Sequence, residues 1–85
     1  MYKIAICDDD NSYIRELEDM ILEGSDDSLS FQFYEYGSGE DLLTSEFDEM
    51  DAIFLDIRMN RMDGNETAVQ LNASGYQGVM VQCSG

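Results

Sequence analysis

Three short apolar runs, each breaking off at oxygen-bearing side chains, constrain this chain more than any other feature. Lys3–Cys7 (KIAIC) ends in Asp8-Asp9-Asp10, Ala52–Leu55 (AIFL) stops at Asp56, and Val79–Cys83 (VMVQC) runs into Ser84. For KIAIC and AIFL, continuous apolar runs bounded by polar residues suit strands buried on both faces, as in a parallel sheet, and VMVQC reads as a further strand. A fourth run, Phe31–Tyr36 (FQFYEY), is aromatic and also reads as a strand.

Helical patterns separate these runs. From Asn11 to Glu23, Ile14, Leu17 and Ile21 recur at spacings of three and four, with Met20 beside them. Asp10 or Asn11 is the N-cap, and Gly24 with the polar run Ser25–Ser28 ends the helix. Ser38 followed three residues later by Asp41 resembles a capping pattern, and predicts a short helix containing Leu42, Leu43 and Phe47. A loop from Ile57 to Asp63 leads to a helix over Gly64–Ala73, with Ala68, Val69 and Leu71 as its apolar members and Ser74-Gly75 as its close. The order β-α-β-α-β-α-β predicts an α/β fold with a parallel sheet and right-handed crossovers. No linker or internal repeat divides the 85 residues, so the expectation is one domain over 1–85.

In open parallel sheets, sites form outside the carboxyl ends of the strands. Parallel strands would bring Asp8, Asp9 and Asp56 to one edge, with Ser84 beside them. Converging carboxylates repel one another, and a hard dication relieves that repulsion. Magnesium takes oxygen ligands, commonly a few carboxylates plus water. The chain has no His, and neither Cys7 nor Cys83 has a neighbour suggesting zinc. Aspartyl phosphates are a known class of covalent intermediate, and a metal-bound carboxylate cluster suits phosphoryl transfer to Asp56. The plainer alternative is that strand-end aspartates only cap helices, and for Asp10 that reading is preferred.

Charge narrows the partners. Nineteen acidic and four basic side chains give a formal net charge of −15. Such a surface repels nucleic acid and anionic lipid, so direct binding to either is not expected. The N-terminus has no signal-peptide pattern, and no run reaches transmembrane length. A reducing cytoplasm is the expected location.

Taken together, IAICDDD (Ile4–Asp10), AIFLDIRMNRMDG (Ala52–Gly64) and VMVQCSG (Val79–Gly85) resemble the receiver domains of two-component response regulators. The wording, including YEYGSGEDLL (Tyr34–Leu43), is most similar to receivers of LytTR-type transcriptional regulators. The resemblance implies a flavodoxin-like (CheY-like) fold with strand order 2-1-3-4. It implies that Asp56 accepts a phosphoryl group from a sensor histidine kinase. Asp9 would bind Mg2+ directly, and Asp8 directly or through water, with Asp56 and the backbone carbonyl of Arg58 completing the protein ligands. Ser84 would hydrogen-bond a phosphoryl oxygen, and Cys83 takes that place if the register slips by one. The implied role is that of a phosphoacceptor controlling an output such as transcription, not of a turnover enzyme.

The sequence departs from the family in ways that carry further expectations. The resemblance stops after the fourth strand, so the fold is expected to be incomplete. The fifth strand and last two helices have no counterpart, nor do the fifth-strand Lys and aromatic residue. DNA would be reached only through an output domain that this sequence does not contain. Asn60 stands where the family has Pro, a substitution a turn tolerates. An open fourth strand and a partly uncovered sheet face imply a homo-oligomer formed by edge pairing or swapping, or a marginal fold. With the third strand between them, Cys7 and Cys83 would lie about 9–10 Å apart. A disulfide needs Cα atoms within roughly 7 Å, so thiols are expected. Two rival functions remain. One is a pseudo-receiver that binds without productive phosphorylation. The other is a magnesium-dependent phosphohydrolase using Asp56. Such hydrolases would normally place an acid/base carboxylate two residues later, where this chain has Arg58.

Overall fold

The computed structural model describes residues 1–56 and 64–83, with only the backbone of 64 and 83. Its elements are β1 (Tyr2–Cys7), α1 (Asn11–Glu23), β2 (Phe31–Tyr36), α2 (Gly39–Leu43), β3 (Ala52–Asp56), α3 (Gly64–Ala73) and β4 (Val79–Cys83), with a single 3-10 turn at Phe47–Glu49. The strands form one sheet in the order β2-β1-β3-β4, and every neighbouring pair is parallel. This is the architecture and order that the sequence implied.

Local chemistry sets the helix ends. Asp10 has extended backbone angles, and its carboxylate accepts the N–H groups of Ser12 at 2.9 Å and Tyr13 at 3.4 Å. That satisfies two donors that the first turn of α1 leaves without intrahelical partners. Ser38 Oγ accepts the Asp41 N–H at 3.1 Å and starts α2. Gly75 adopts φ +84°, a left-handed conformation that glycine enters without steric cost, and the chain turns back there with Tyr76 N–H donating to Leu71 O.

Alternation along β1 splits the core into two layers. Ala5 and Cys7 face one side with Ile53 and Leu55, where Leu42 of α2 and Ala68 and Leu71 of α3 pack on them. Ile4 and Ile6 face the other side, covered by Ile14 of α1 and flanked by Leu17, Ile21, Phe31, Phe33, Ala52 and Phe54. Two helices thus lie on one face and one on the other. The strand ends are pinned at the opposite edge from the aspartates. Lys3 N–H donates to Asp51 Oδ2 at 2.8 Å, Asp51 N–H donates to Lys3 O at 2.8 Å, and Val79 N–H donates to Asp51 O at 3.1 Å.

Two local expectations need correction. Val69 is 66% exposed, while Thr67 is fully buried. In a helix as short and weakly patterned as Gly64–Ala73, contact with α2 and β3 sets the inward face. Phe47 lies in its own 3-10 turn, because α2 ends after Leu43 with the Thr44 hydroxyl bonded back to the carbonyls of Glu40 and Asp41. The ring still reaches the core, edge-on to Tyr76 at 6.5 Å between centroids.

Candidate functional site

The register of β1 and β3 builds the site. Cys7 pairs with Leu55, so Asp8, the next residue along, emerges beside Asp56 at the carboxyl edge of the sheet. Asp8 is continued from the strand by its N–H, which donates to Tyr36 O of β2 at 3.0 Å. Asp9 follows on the exposed side. One carboxylate oxygen from each of Asp8, Asp9 and Asp56 lies within 4.8 Å of the others. Asp8 and Asp56 are buried, at 4% and 8% exposure, and Asp9 is exposed.

This geometry suits a small hard cation. Ligands on opposite sides of an octahedral magnesium are about 4.2 Å apart, twice the usual ~2.1 Å bond. Only one pair among three ligands can be opposite, and adjacent ones lie about 3.0 Å apart, so oxygens lying within 4.8 Å of one another must draw together to share one ion. All three donors are oxygens, which fits that ion and not a thiolate- or imidazole-seeking one. Asp10, by contrast, is committed to capping α1 and stands outside the cluster, as its preferred reading held.

Electrostatics records the crowding. Burial pushes Asp8 up to about 6, and the charges of Asp56 and Asp9 push the same way, against the Asp10 N–H that donates to Asp8 Oδ1 at 2.9 Å. That last bond was not foreseen, although an Asp two residues before a helix cap is a common source of it. Beneath the cluster, burial and the surrounding aspartates raise the Cys7 thiol to about 12. A fully buried, protonated thiol is a packing group, not a nucleophile.

Arg58, Asn60 and Ser84 lie outside the described residues. The last pairing of β3 with β4 is Asp56 with Cys83. The side chain of Cys83 also lies outside the described residues. Cys7 is not in a disulfide, and β3 does separate β1 from β4 as the cysteine argument required. Lys3 is at the other end of the sheet, 3.9 Å from Glu49, as its position at the start of β1 implied. No helix among the described residues is long and apolar enough to cross a membrane.

No protein-family model matches the sequence, and no curated protein does. Solved structures do match in fold. The chemotaxis protein CheY4 of Vibrio cholerae superposes with a TM-score of 0.67 at 20% identity, over 94% of this chain and 67% of that one. A CheY-like response regulator receiver domain protein from Methanospirillum hungatei gives 0.69 at 25% identity, over 94% and 62%. The response regulator StyR gives 0.72 at 24% identity, over 98% and 41%. The chain thus spans about two thirds of the first of these structures and less of the other two. The four parallel strands in the order 2-1-3-4, with helices between them, are the flavodoxin-like fold of these CheY-like receivers.

Proposed function

We propose that the chain is the phosphoacceptor receiver module of a two-component response regulator, acting in the cytoplasm. The observation that carries this reading is the convergence of Asp8, Asp9 and Asp56 at the carboxyl edge of a CheY-like sheet. Asp56 is the nucleophile. A carboxylate oxygen forms a bond to phosphorus as the P–N bond of a sensor kinase phosphohistidine breaks, and the imidazole leaves with the electron pair of that bond. Asp8 and Asp9, with the Asp56 carboxylate and the carbonyl of Arg58, would hold Mg2+, which when bound neutralises oxygen charge on the cluster and on the transferring group. Asp8 is oriented for this by the Asp10 N–H. The Ser84 hydroxyl would donate a hydrogen bond to a phosphoryl oxygen of the product. The chain accepts the group and does not turn over substrate. Its output, transcription by a LytTR-type regulator in the finer form of this reading, would act through a separate domain. The charge of −15 disfavours direct contact with DNA or an anionic membrane.

A second reading has one observation in its favour. No lysine lies near Asp56 among the described residues, since Lys3 is tied to the opposite end of the sheet. A pseudo-receiver would keep the fold and its binding surface without stable phosphorylation. Incubation of the chain with a small phosphodonor and Mg2+, followed by intact mass measurement, separates the two. The receiver reading expects a gain of one phosphoryl group that is absent in Asp56→Asn. A folded chain that gains nothing overturns it in favour of the pseudo-receiver, and sustained hydrolysis of a phosphate ester would indicate a phosphohydrolase.

A further inference from the structure

Only Asp8, Asp9 and Asp10 separate the last residue of β1 from the first of α1. Two hydrogen bonds of one pattern span that junction, each from a backbone N–H to the carboxylate two residues before it. Asp8 Oδ1 accepts the Asp10 N–H at 2.9 Å, and Asp10 Oδ1 accepts the Ser12 N–H at 2.9 Å. Asp10 Oδ1 also accepts the Tyr13 N–H at 3.4 Å, and the Asp10 carbonyl accepts the Ile14 N–H at 3.2 Å. Asp10 therefore uses its N–H toward the site and its carbonyl and carboxylate toward α1. Asp8 is gripped twice, by Asp10 at its carboxylate and by Tyr36 O of β2 at its own N–H. Asp9 lies between two residues held in this way.

The N–H that reaches Asp8 belongs to the backbone, so what aims it is the conformation of residue 10. That conformation is extended, φ −109° and ψ 104°, and helix follows at once. The two bonds from Ser12 and Tyr13 to the Asp10 carboxylate hold the bend between the two. Without them the first turn of α1 has open donors, and other backbone angles at residue 10 compete. The body of the helix has a separate anchor, because Ile14 packs on Ile4 and Ile6 with Leu17 and Ile21 beside it. Loss of the cap therefore loosens the junction while α1 stays docked.

We propose, on the reading of Asp8, Asp9 and Asp56 as a Mg2+ site, that Asp10 is a positioning residue for it: its cap on α1 sets how tightly Asp8 and Asp9 hold the ion. Asp10 stands outside the cluster and acts through Asp8, as an outer partner that orients a ligating carboxylate. Such coupling is reciprocal, so Mg2+ at the cluster tightens the first turn of α1.

Titration of the full chain with Mg2+, followed by the amide shifts of Asp9 and Asp56, tests this in wild type, Asp10→Asn and Asp10→Ala. Both variants lose the same charge, and only Asn keeps an oxygen that accepts the Ser12 and Tyr13 N–H groups. Asn is expected within about threefold of the wild-type affinity, the share of one exposed charge. Ala is expected to bind about tenfold more weakly than Asn, as on losing an outer hydrogen-bond partner. The shifts are those of the folded chain, so lost stability alone does not move the affinity. In wild type, Mg2+ is expected to slow hydrogen exchange of the Ser12 and Tyr13 amides more than that of Ile21 near the far end of α1, a readout that needs no variant. Equal affinities in the Asn and Ala variants, or exchange at Ser12 and Tyr13 that changes no more than at Ile21, overturns the proposal and leaves the receiver reading standing. A wild-type chain whose Asp9 and Asp56 shifts ignore Mg2+ overturns the proposal together with the cation site.

Discussion

Replacing Asp8 by Asn should stabilise the metal-free chain and at the same time remove its response to magnesium. Asp8 is buried beside Asp56 and Asp9 and rises from an ordinary 3.8 to about 6. At about 1.4 kcal/mol per tenfold change in proton affinity, ionised Asp8 costs the fold on the order of 3 kcal/mol at pH 7.5. The folded chain binds this proton more tightly than the unfolded chain. The cost is therefore absent below pH 3.8, grows as pH rises, and is complete above about 6. Asn removes the charge, and its Oδ1 still accepts the Asp10 N–H that anchors the Asp8 side chain. Allowing for relaxation in the variant, a gain of roughly 1–3 kcal/mol is expected in chelator-treated buffer at pH 7.5. In urea this moves the midpoint up by about 1–3 M, for a slope near 1 kcal/mol per molar in a chain of this size. The gain should vanish near pH 3.5. Magnesium should reverse the order of benefit. At tenfold above its dissociation constant it stabilises wild type by about 1.4 kcal/mol, and Asp8→Asn much less, because one of three carboxylates is gone. A variant less stable than wild type without metal, or an equal magnesium response in both, would refute the crowded-carboxylate reading.

Three further outcomes test other parts of the structure. Glu18 of α1 faces Glu35, one of its oxygens is buried without a hydrogen-bond donor among the described residues, and burial with that second carboxyl pushes it up to about 7. Stability tied to this proton is full below about 4.5 and is lost as pH rises through 7, so Glu18→Gln should flatten the fall in Tm over that window, leaving the Asp8 contribution; an unchanged slope contradicts the pairing. Gly78→Ala should cost about 1–3 kcal/mol by urea denaturation, because a Cβ there overlaps the Tyr76 hydroxyl that donates to Met50 O at 3.0 Å. Cys7 should resist iodoacetamide in the native chain at pH 8 and react on unfolding, since its thiol is fully buried and raised to about 12; rapid native labelling assigned to Cys7 by peptide mapping would show that the core opens.

Much of this protein is legible along the chain. KIAIC and AIFL read as buried strands, as they are, and VMVQC reads as a strand, which it is, although its described side chains stay half-buried or exposed. The Asp10 and Ser38 caps, and the close of α3 at Gly75, are local events set by neighbouring residues. The strand order came from resemblance, and hydrogen-bonded pairing bears it out. Tertiary structure alone decided the rest. Asp8 and Asp9 are adjacent and chemically identical, yet one is buried and the other exposed, because only the sheet edge distinguishes their directions. Val69 faces solvent and Thr67 the core because the packing of α3 on β3 and α2 outweighs a weak apolar period. Residues 8 and 56 are distant in sequence, and the distance between their oxygens depends on the register of two parallel strands, which no local pattern specifies. The residue types announced an acidic site, and the pairing of β1 with β3 made it one.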